Sequence, residues 1–256
     1  MIELNKIYNE DCLEGMKRIP NGSVDCIICD LPYGVLNKQN EGGGWDSIIP
    51  LEPLWEEYLR ITKPNAAIIL FGQGMFTAKL MISNEKMWRY NLTWDKKRTT
   101  GFLNAKKMPL KQTEIISVFY KEFPTYHPQM RKCLPHERNH SRGKLQGEQT
   151  NRCYGNFGKA EGVISDEKYP TDIIEFARNV HTSFHPVQKP VELIQYLIRT
   201  YSNEGDTILD NCMGSGTTAV AAWREKRNFI GFELNKEYYD KACKRIQLEL
   251  MQPTLF

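Results

Sequence analysis

The chain has 256 residues, of which 41% are hydrophobic and 25% are charged, and its formal net charge is +3. This composition is ordinary for a folded globular protein, and the length suits one α/β domain that carries an insertion. No apolar run approaches the roughly 18 to 20 residues that a membrane-spanning helix requires, so we expect no membrane partner.

The first 120 residues alternate between strand and helix patterns. The extreme N-terminus lacks the cationic and apolar stretches of a signal peptide, so we expect a cytoplasmic location. The first predicted strand delivers Asp11 into a loop, and the second ends at Asp30-Leu31-Pro32-Tyr33. Apolar residues at helical spacing predict helices at 13–19, 51–61 and 75–83. Apolar, β-branched runs predict strands at 6–8, 24–29, 66–71, 90–94 and 115–120.

The middle of the chain is basic and, from residue 121 to 169, irregular. A long irregular segment inside a compact domain is usually functional or disordered. A high density of basic residues favours a polyanion as partner, with a solvated basic surface as the alternative. The basic residues are Lys96, Lys97, Arg98, Lys106, Lys107, Lys111, Arg131, Lys132, Arg138, Arg142, Lys144, Arg152 and Lys159.

Regular patterns return near residue 188 and continue almost to the C-terminus. Helices are predicted at 191–198, 217–224 and 236–250, and strands at 207–209 and 228–233. Strands that alternate with helices indicate a doubly wound sheet. The prediction is therefore an α/β fold with a mostly parallel, seven-stranded sheet.

Two groups of cysteine and histidine residues bear on metal binding. The seven cysteines are scattered and odd in number, which argues against a disulfide framework. Cys26 and Cys29 lie three residues apart on a predicted strand, so they face opposite sides of the sheet and cannot share a metal. A second group resembles a zinc site only loosely, because its spacing matches no standard finger; its members are Cys133, His136, His140 and Cys153. We predict no metal site.

A glycine-rich loop at residues 210–218 follows a predicted strand and leads into a helix. Glu233 ends the next strand, at the spacing expected of a carboxylate that binds ribose hydroxyls. The loop is not G-x-G-x-x-G, and it lacks the lysine of a phosphate-binding loop. An adenosine ligand without phosphates fits these features better than a dinucleotide or a nucleoside triphosphate, and a merely tight turn is the alternative.

Asp30-Leu31-Pro32-Tyr33 sits at a strand end, where open α/β sheets bind ligands. The Asp30 carboxylate and the Leu31 carbonyl can each accept an N–H of an exocyclic amine, and the Tyr33 ring can stack on a flat base. A base inside a duplex must first be flipped out of the helix. The alternative is a strand-end turn with a solvated aspartate.

Together these stretches resemble the DNA amino-methyltransferases that use S-adenosylmethionine. The family's tetrapeptide is usually Asp/Asn/Ser-Pro-Pro-Tyr/Phe, and Leu31 departs from it at the second position. The family's cofactor loop often reads Asp-Pro-Phe-x-Gly-Ser-Gly-Thr-Thr, and here Asn211 and Cys212 replace Pro and Phe. A third stretch, 185–190, resembles the motif beside the methionine end of the cofactor. The resemblance runs from Asn9 to the last helix, and the motif order is that of the permuted β class.

The resemblance implies specific roles. The catalytic residues would be Asp30, Pro32 and Tyr33. The cofactor-binding residues would be Asp11, Asp30, Lys189, Asp210, Met213, Gly214, Ser215, Gly216, Thr217 and Glu233. Residues 1–120 would form the catalytic half of one methyltransferase domain, 181–256 the cofactor-binding half, and 121–180 the target-recognition insertion.

The aspartate in the tetrapeptide favours adenine N6 as the methyl acceptor in double-stranded DNA. Cytosine N4, an RNA base, a non-catalytic DNA-binding subunit and a Rossmann oxidoreductase stay open as alternatives. The resemblance is also compatible with a homodimer and with a cognate restriction endonuclease as partner.

Overall fold

A computed structural model describes residues 2–34, 47–133, 150–151, 155–156, 166–177 and 188–251. Its helices are α1 (Cys12–Met16), α2 (Leu51–Ile61), α3 (Met75–Ser83), α4 (Val191–Tyr201), α5 (Thr217–Arg224) and α6 (Lys236–Met251), with one 3₁₀ turn at Phe102–Asn104. Its strands are β1 (Lys6–Tyr8), β2 (Val24–Cys29), β3 (Thr62–Gly72), β4 (Trp88–Thr100), β5 (Lys111–Phe119), β6 (Arg131–Lys132), β7 (Thr150–Asn151), β8 (Gly155–Asn156), β9 (Glu167–Lys168), β10 (Ile173–Glu175), β11 (Thr207–Asp210) and β12 (Asn228–Phe232).

The chain divides into two compact units. The larger comprises Met1–His127 and Asp172–Phe256, and the smaller is Pro128–Thr171. In the smaller unit, β6 pairs antiparallel with β9, and β7 pairs antiparallel with β8. The backbone N–H of Cys133 donates to the carbonyl of Asp166 at 2.7 Å. The other members of the zinc-like group, His136, His140 and Cys153, lie outside the described residues.

The larger unit is built on one sheet with the strand order β1-β12-β11-β2-β3-β5-β4-β10. β5 runs antiparallel to its neighbours β3 and β4, and the other adjacent pairs are parallel. From the central pair β2 and β11 the chain winds outward in both directions, through β3 on one side and β12 on the other. The carboxyl ends of β2 and β11 therefore meet at a topological switch point, where α/β sheets hold their ligands.

The sheet contains one strand more than the seven predicted from the sequence. β10 pairs with β4 at the sheet edge, although its residues fall within 121–180, the stretch expected to form the target-recognition insertion. Burial alternates along β10, since Ile174 is buried while Ile173 and Glu175 are exposed. The sequence does not show this alternation, because the strand has only three residues and two of them are adjacent isoleucines. The α/β, doubly wound and mostly parallel fold is confirmed, and the number of strands was wrong by one.

Helices cover both faces of the sheet. Side chains of α4 and α5 pack with Cys26 and Ile28 on one face. Side chains of α1, α2 and α3 pack with Ile27 and Cys29 on the other. Cys26 and Cys29 therefore face opposite sides of β2, as their spacing on a strand predicts. In the described part of the chain, no helix combines the length and apolar character needed to cross a membrane.

Candidate active site

A cavity of about 360 Å³ opens at the carboxyl ends of β2 and β11. Among its lining residues are most of those predicted for the site: Asp11, Asp30, Pro32, Tyr33, Lys189, Asp210, Met213, Gly214, Ser215, Thr217 and Glu233. The fold thus brings together two motifs that are far apart in sequence. Of the third motif, at residues 185–190, the first three residues lie outside the described part of the chain.

Gly216 is the one predicted site residue that does not line the cavity. Its φ of 76° is in the left-handed region, and it caps the start of α5. A Cβ at this position would lie 3.1 Å from the Cβ of Ala242 on α6. Gly216 therefore shapes the turn and admits the close approach of α6, which are structural tasks behind the loop.

Asp210 braces the glycine-rich loop from within the protein. Its Oδ2 accepts a hydrogen bond of 2.6 Å from the hydroxyl of Thr218, and its Oδ1 accepts one of 3.0 Å from the backbone N–H of Cys212. Burial raises the pKa of Asp210 to about 6. The two hydrogen bonds oppose that shift because they favour the ionised form, and they tie the strand end to the start of α5.

Asn211 and Cys212, which depart from the family pattern, are accommodated by polar contacts. The hydroxyl of Tyr58 donates to the side-chain oxygen of Asn211. The Asn211 amide nitrogen lies 3.6 Å from the sulfur of Cys12 and 3.6 Å from that of Cys212. The amide thus has partners for both its oxygen and its nitrogen, as a buried amide requires.

Glu233 follows β12 and faces the glycine-rich loop. Its Oε2 accepts a hydrogen bond of 2.8 Å from the backbone N–H of Gly214, and its Oε1 accepts one of 2.7 Å from that of Asn235. Burial raises the pKa of Glu233 above its ordinary value. Each carboxylate oxygen can accept a second hydrogen bond, so the group remains able to bind ligand hydroxyls.

Asp11 caps the first helix at another part of the cavity wall. Its Oδ1 accepts hydrogen bonds from the backbone N–H groups of Leu13 at 2.8 Å and Glu14 at 3.2 Å. This cap fixes the carboxylate beside Cys12, which also lines the cavity. A fixed carboxylate can accept a hydrogen bond from an amine or a hydroxyl of a ligand.

The acidic lining suits a cationic adenosyl compound better than a phosphorylated one. Asp11 and Glu233 line the cavity, so a polyphosphate would meet repulsion where a sulfonium would be stabilised. Met213 is buried against Gly231, where a Cβ would lie 2.3 Å from the Met213 methyl carbon. Residues and chemistry therefore fit S-adenosylmethionine, the cofactor that the sequence resemblance implies.

Asp30 lies where β2 ends, and both of its oxygens have partners. The hydroxyl of Tyr33 donates to Oδ1 at 2.6 Å, and the ammonium nitrogen of Lys189 lies 2.7 Å from Oδ2. Burial and the charge of Asp30 raise the pKa of Tyr33 well above its ordinary value, so the phenol stays protonated and donates. The Leu31 side chain is buried in the core under the loop, which leaves its backbone as the part available to a ligand.

Lys189 was predicted to bind the cofactor, and the structure also gives it two carboxylate neighbours in the cavity wall. In addition to its contact with Asp30, the Lys189 Nζ lies 3.1 Å from Oε2 of Glu114 and 4.9 Å from the centre of the Phe71 ring. Asp30 and Glu114 raise the pKa of Lys189 above its ordinary value although burial lowers it. The ammonium therefore stays charged and joins the catalytic motif to the sheet.

Glu114, Lys96 and the rings of Phe71 and Trp94 were missed by the sequence prediction. Lys96 was assigned to the exposed basic stretch, but it is buried, and its Nζ lies 3.4 Å from Oε1 of Glu114. The signal for Glu114 in the sequence was a carboxylate directly before the apolar run of β5. Its partners Lys96 and Lys189 lie on β4 and before α4, so the cluster of three charges is recognised from the folded chain and not from the sequence.

Taken together, the cavity can hold a flat, amine-bearing group beside an adenosyl compound. Tyr33 lines it and offers a ring on which a base can stack, and the buried rings of Phe71 and Trp94 form an apolar wall beneath the Lys189 ammonium. Asp30 offers a carboxylate that can accept amine N–H groups and offset a positive charge. This combination of an aromatic wall, an acceptor and a separate adenosyl site is suited to group transfer onto an exocyclic amine.

Comparison with known proteins agrees with this geometry. The DNA methylase family model matches residues 24–244. The type II methyltransferase M1.MboII of Moraxella bovis is 27% identical over 94% of this chain and 96% of its own length. The DNA adenine methyltransferase YhdJ of Escherichia coli K12 is 27% identical over 96% of this chain and 84% of its own.

A solved structure, the M1.HpyAVI complex with S-adenosylmethionine, has the same fold. Its TM-score is 0.61 at 23% identity, over 94% of this chain and 98% of the other. The family match covers far more than half of the sequence and includes both cavity motifs. The chain therefore belongs to the DNA methylase family of N6 and N4 methyltransferases.

Proposed function

We propose that this protein transfers the methyl group of S-adenosylmethionine to the N6 amine of an adenine in double-stranded DNA. The observation that carries the proposal is the Asp30 carboxylate, which lies at the switch point between an aromatic wall and the glycine-rich loop. An aspartate in this position favours adenine, and one relative, YhdJ, is named an adenine methyltransferase.

S-adenosylmethionine supplies an electrophilic methyl group on a positively charged sulfur. Glu233 would accept hydrogen bonds from the ribose hydroxyls, and Asp11 would accept one from the amine of the cofactor's adenine. The backbone at Gly214 and Ser215, with the buried Met213 side chain behind it, would line the adenosyl group. Lys189 would lie near the methionine end, where its ammonium is already held by Asp30.

Asp30 acts on the amine that receives the methyl group. It accepts an N–H of the amine, which localises the nitrogen lone pair, and it offsets the positive charge that grows on nitrogen. The Leu31 carbonyl accepts the second N–H, and Tyr33 holds the carboxylate through its 2.6 Å hydrogen bond while its ring stacks on the base. Holding base and methyl donor in line supplies much of the remaining rate enhancement.

No cysteine is needed as a nucleophile. In a direct transfer the bond from nitrogen to the methyl carbon would form as the bond from sulfur breaks, leaving a neutral thioether, and the methylated amine would lose one proton to solvent, so no covalent enzyme intermediate is required. Burial raises the pKa of Cys29, the cysteine next to the catalytic motif, to about 12. Its thiol therefore stays protonated and unreactive at physiological pH.

Exposed cations support DNA as the substrate. We define the β4–β5 hairpin tip as residues 97–113, all of which are exposed. The tip includes Arg98, Lys106, Lys107 and Lys111, which can contact phosphates. The hairpin extends β4 beyond Trp94, which lines the cavity. It runs toward the side of the sheet that contains the carboxyl ends of β2 and β11. We also propose residues 121–180 as the region that reads the target sequence.

Nucleoside analysis of methylated DNA tests the proposal. Purified protein is incubated with S-adenosylmethionine and duplex DNA, and the digested nucleosides are identified by mass spectrometry. N6-methyladenine is the expected product. N4-methylcytosine would show that the acceptor is cytosine and not adenine. Methylation of RNA but not of DNA would show that the substrate is RNA. The absence of any methylated product would overturn the proposal.

Two partners complete the proposal. The relative M1.MboII is a type II methyltransferase, which supports a restriction–modification role beside a cognate endonuclease. A homodimer stays a prediction, and sedimentation equilibrium of the purified protein tests it.

A further inference from the structure

Four ionisable side chains form a row of alternating charge from the sheet to the catalytic motif. Lys96 Nζ lies 3.4 Å from Glu114 Oε1, Lys189 Nζ lies 3.1 Å from Glu114 Oε2, and Lys189 Nζ lies 2.7 Å from Asp30 Oδ2. Their side chains are 3%, 15%, 10% and 24% exposed in the order Lys96, Glu114, Lys189, Asp30. Water therefore screens these charges poorly, and each affects its neighbours strongly.

The strand pairing explains why Lys96 and Glu114 meet. Glu114 on β5 lies opposite Trp94 on β4, and Lys96 is two residues further along β4, so it shares the face of Trp94. The sheet thus supplies one cation and one anion from rigid elements. Lys189 comes from the segment before α4, and Asp30 from the end of β2.

Glu114 is placed to act on Lys189. Among the described residues its Oε2 is buried with no hydrogen-bond partner, and the ammonium of Lys189 is its ionic neighbour at 3.1 Å. Burial raises the pKa of Glu114, but Lys189 and Lys96 outweigh burial and leave that pKa below its ordinary value. The carboxylate is therefore ionised and shares the charge of both lysines.

This row has a consequence for the proposed reaction. Two lysines and two carboxylates leave no net charge beside the amine. Without the Glu114 carboxylate, two ammonium groups would face Asp30 alone, and an uncompensated cation would oppose the positive charge that grows on the amine nitrogen. A buried, unpaired charge is costly, and its field reaches the reacting atoms with little screening.

We propose that Glu114 is a positioning residue that holds and balances the Lys189 ammonium, so that Asp30 keeps its full electrostatic effect on the acceptor amine, and that Lys96 is the counter-ion that sets the net charge of the row. This inference rests on the proposed methyl transfer to DNA. It assigns a role to two side chains outside the loop motifs, and neither needs to touch the cofactor or the base.

A charge-balance series tests the inference. We expect Glu114→Gln to lower kcat about tenfold or more, while KM for S-adenosylmethionine and for DNA stays within about twofold. Lys96→Met removes the opposite charge, so its kcat should be equal to or above that of the wild type. The double variant E114Q/K96M restores neutrality and should recover kcat to within about threefold of wild type. Glu114→Asp keeps the charge and should retain most activity.

Matched controls come from an exposed ion pair on α6, outside the cavity and the proposed DNA-binding segments. Lys241 Nζ lies 2.6 Å from Glu237 Oε1, and both side chains are exposed. Lys241→Met and Glu237→Gln should leave kcat unchanged. Melting temperature and calorimetric cofactor binding verify that each variant is folded.

Three outcomes would overturn the inference. They are an unchanged kcat in E114Q, a double variant no faster than E114Q, and a K96M variant as slow as E114Q. If E114Q fails to fold, a K96M variant at least tenfold slower than wild type still overturns the inference. A wild-type protein that does not methylate DNA would instead refute the proposed function, so the two failures are distinct.

Discussion

The ammonium of Lys189 lies 2.7 Å from Oδ2 of Asp30, and the hydroxyl of Tyr33 lies 2.6 Å from Oδ1 of the same carboxylate. The residue expected to act on the amine and a residue expected to bind the cofactor are thus one ion pair. Both Asp30 oxygens already have partners, so an arriving amine must share them. Carboxylate oxygens have two lone pairs each, which allows such sharing.

Removal of the Asp30 carboxylate should abolish methyl transfer. Asp30→Asn keeps the shape of the side chain but replaces an acceptor oxygen by an amide donor and removes the charge. We expect kcat to fall by about a hundredfold or more, because the acceptor aimed at the developing charge is removed. Calorimetric affinity for S-adenosylmethionine should change little. Near wild-type methylation by Asp30→Asn or Asp30→Ala would refute the assigned role.

Glu233 should govern cofactor affinity. Glu233→Gln keeps the size of the side chain but removes the charge, and its amide nitrogen cannot accept a hydrogen bond, whereas the carboxylate accepts from both Gly214 and Asn235. We expect the Kd for S-adenosylmethionine to rise about tenfold, which corresponds to about 1.4 kcal/mol. Glu237→Gln is the matched control, because the Glu237 side chain is exposed on α6. Equal affinity of the Glu233 variant and the wild type in calorimetry would contradict the ribose role.

The raised pKa of Asp210 predicts a pH dependence of stability. Because its folded-state pKa is about 6, above the ordinary value for aspartate, the stability from this group is fully present in acid. That stability is lost as the pH rises through about 6. Asn cannot ionise, so the unfolding free energy of Asp210→Asn minus that of wild type should increase from about pH 4 to about pH 7, by roughly 3 kcal/mol at most.

Denaturant titrations across this pH range measure that difference directly. Asp240→Asn, at an exposed position on α6, is the control and should show no such trend. A difference for Asp210→Asn that stays constant or decreases with pH would contradict the burial of an ionisable Asp210.

The sequence predicted the strands that frame the site but not the contacts between distant elements. The run before Asp30 and the run before Asp210 were recognisable because each is apolar and ends in a loop with proline or glycine. β10 was not predicted because three residues are too few to show a period. The burial of Lys96 was not predicted because a buried lysine looks the same in sequence as its exposed neighbours. Both depend on β4, whose pairing with β5 on one side and with β10 on the other is decided by tertiary packing.

The basic β4–β5 hairpin tip should contribute to DNA affinity. Lys106→Gln together with Lys107→Gln should weaken binding, and the slope of log affinity against log salt should become shallower by about 0.9 for each phosphate that the variant no longer neutralises. Lys86→Gln is the control, because Lys86 is exposed just before β4, at the opposite end of that strand. Fluorescence anisotropy at several salt concentrations measures both variants. Identical slopes for the wild type and the double variant would remove the tip from the interface.

The central claim is that Asp30 directs methylation of adenine in DNA. Modified-base sequencing of DNA from cells that express the protein gives the base and the target sequence in one measurement, with Asp30→Asn as the paired sample. We predict N6-methyladenine at one defined sequence in the wild-type sample and unmodified adenine there in the Asp30→Asn sample. Adenine unmodified in both samples, or modified equally in both, would contradict the account.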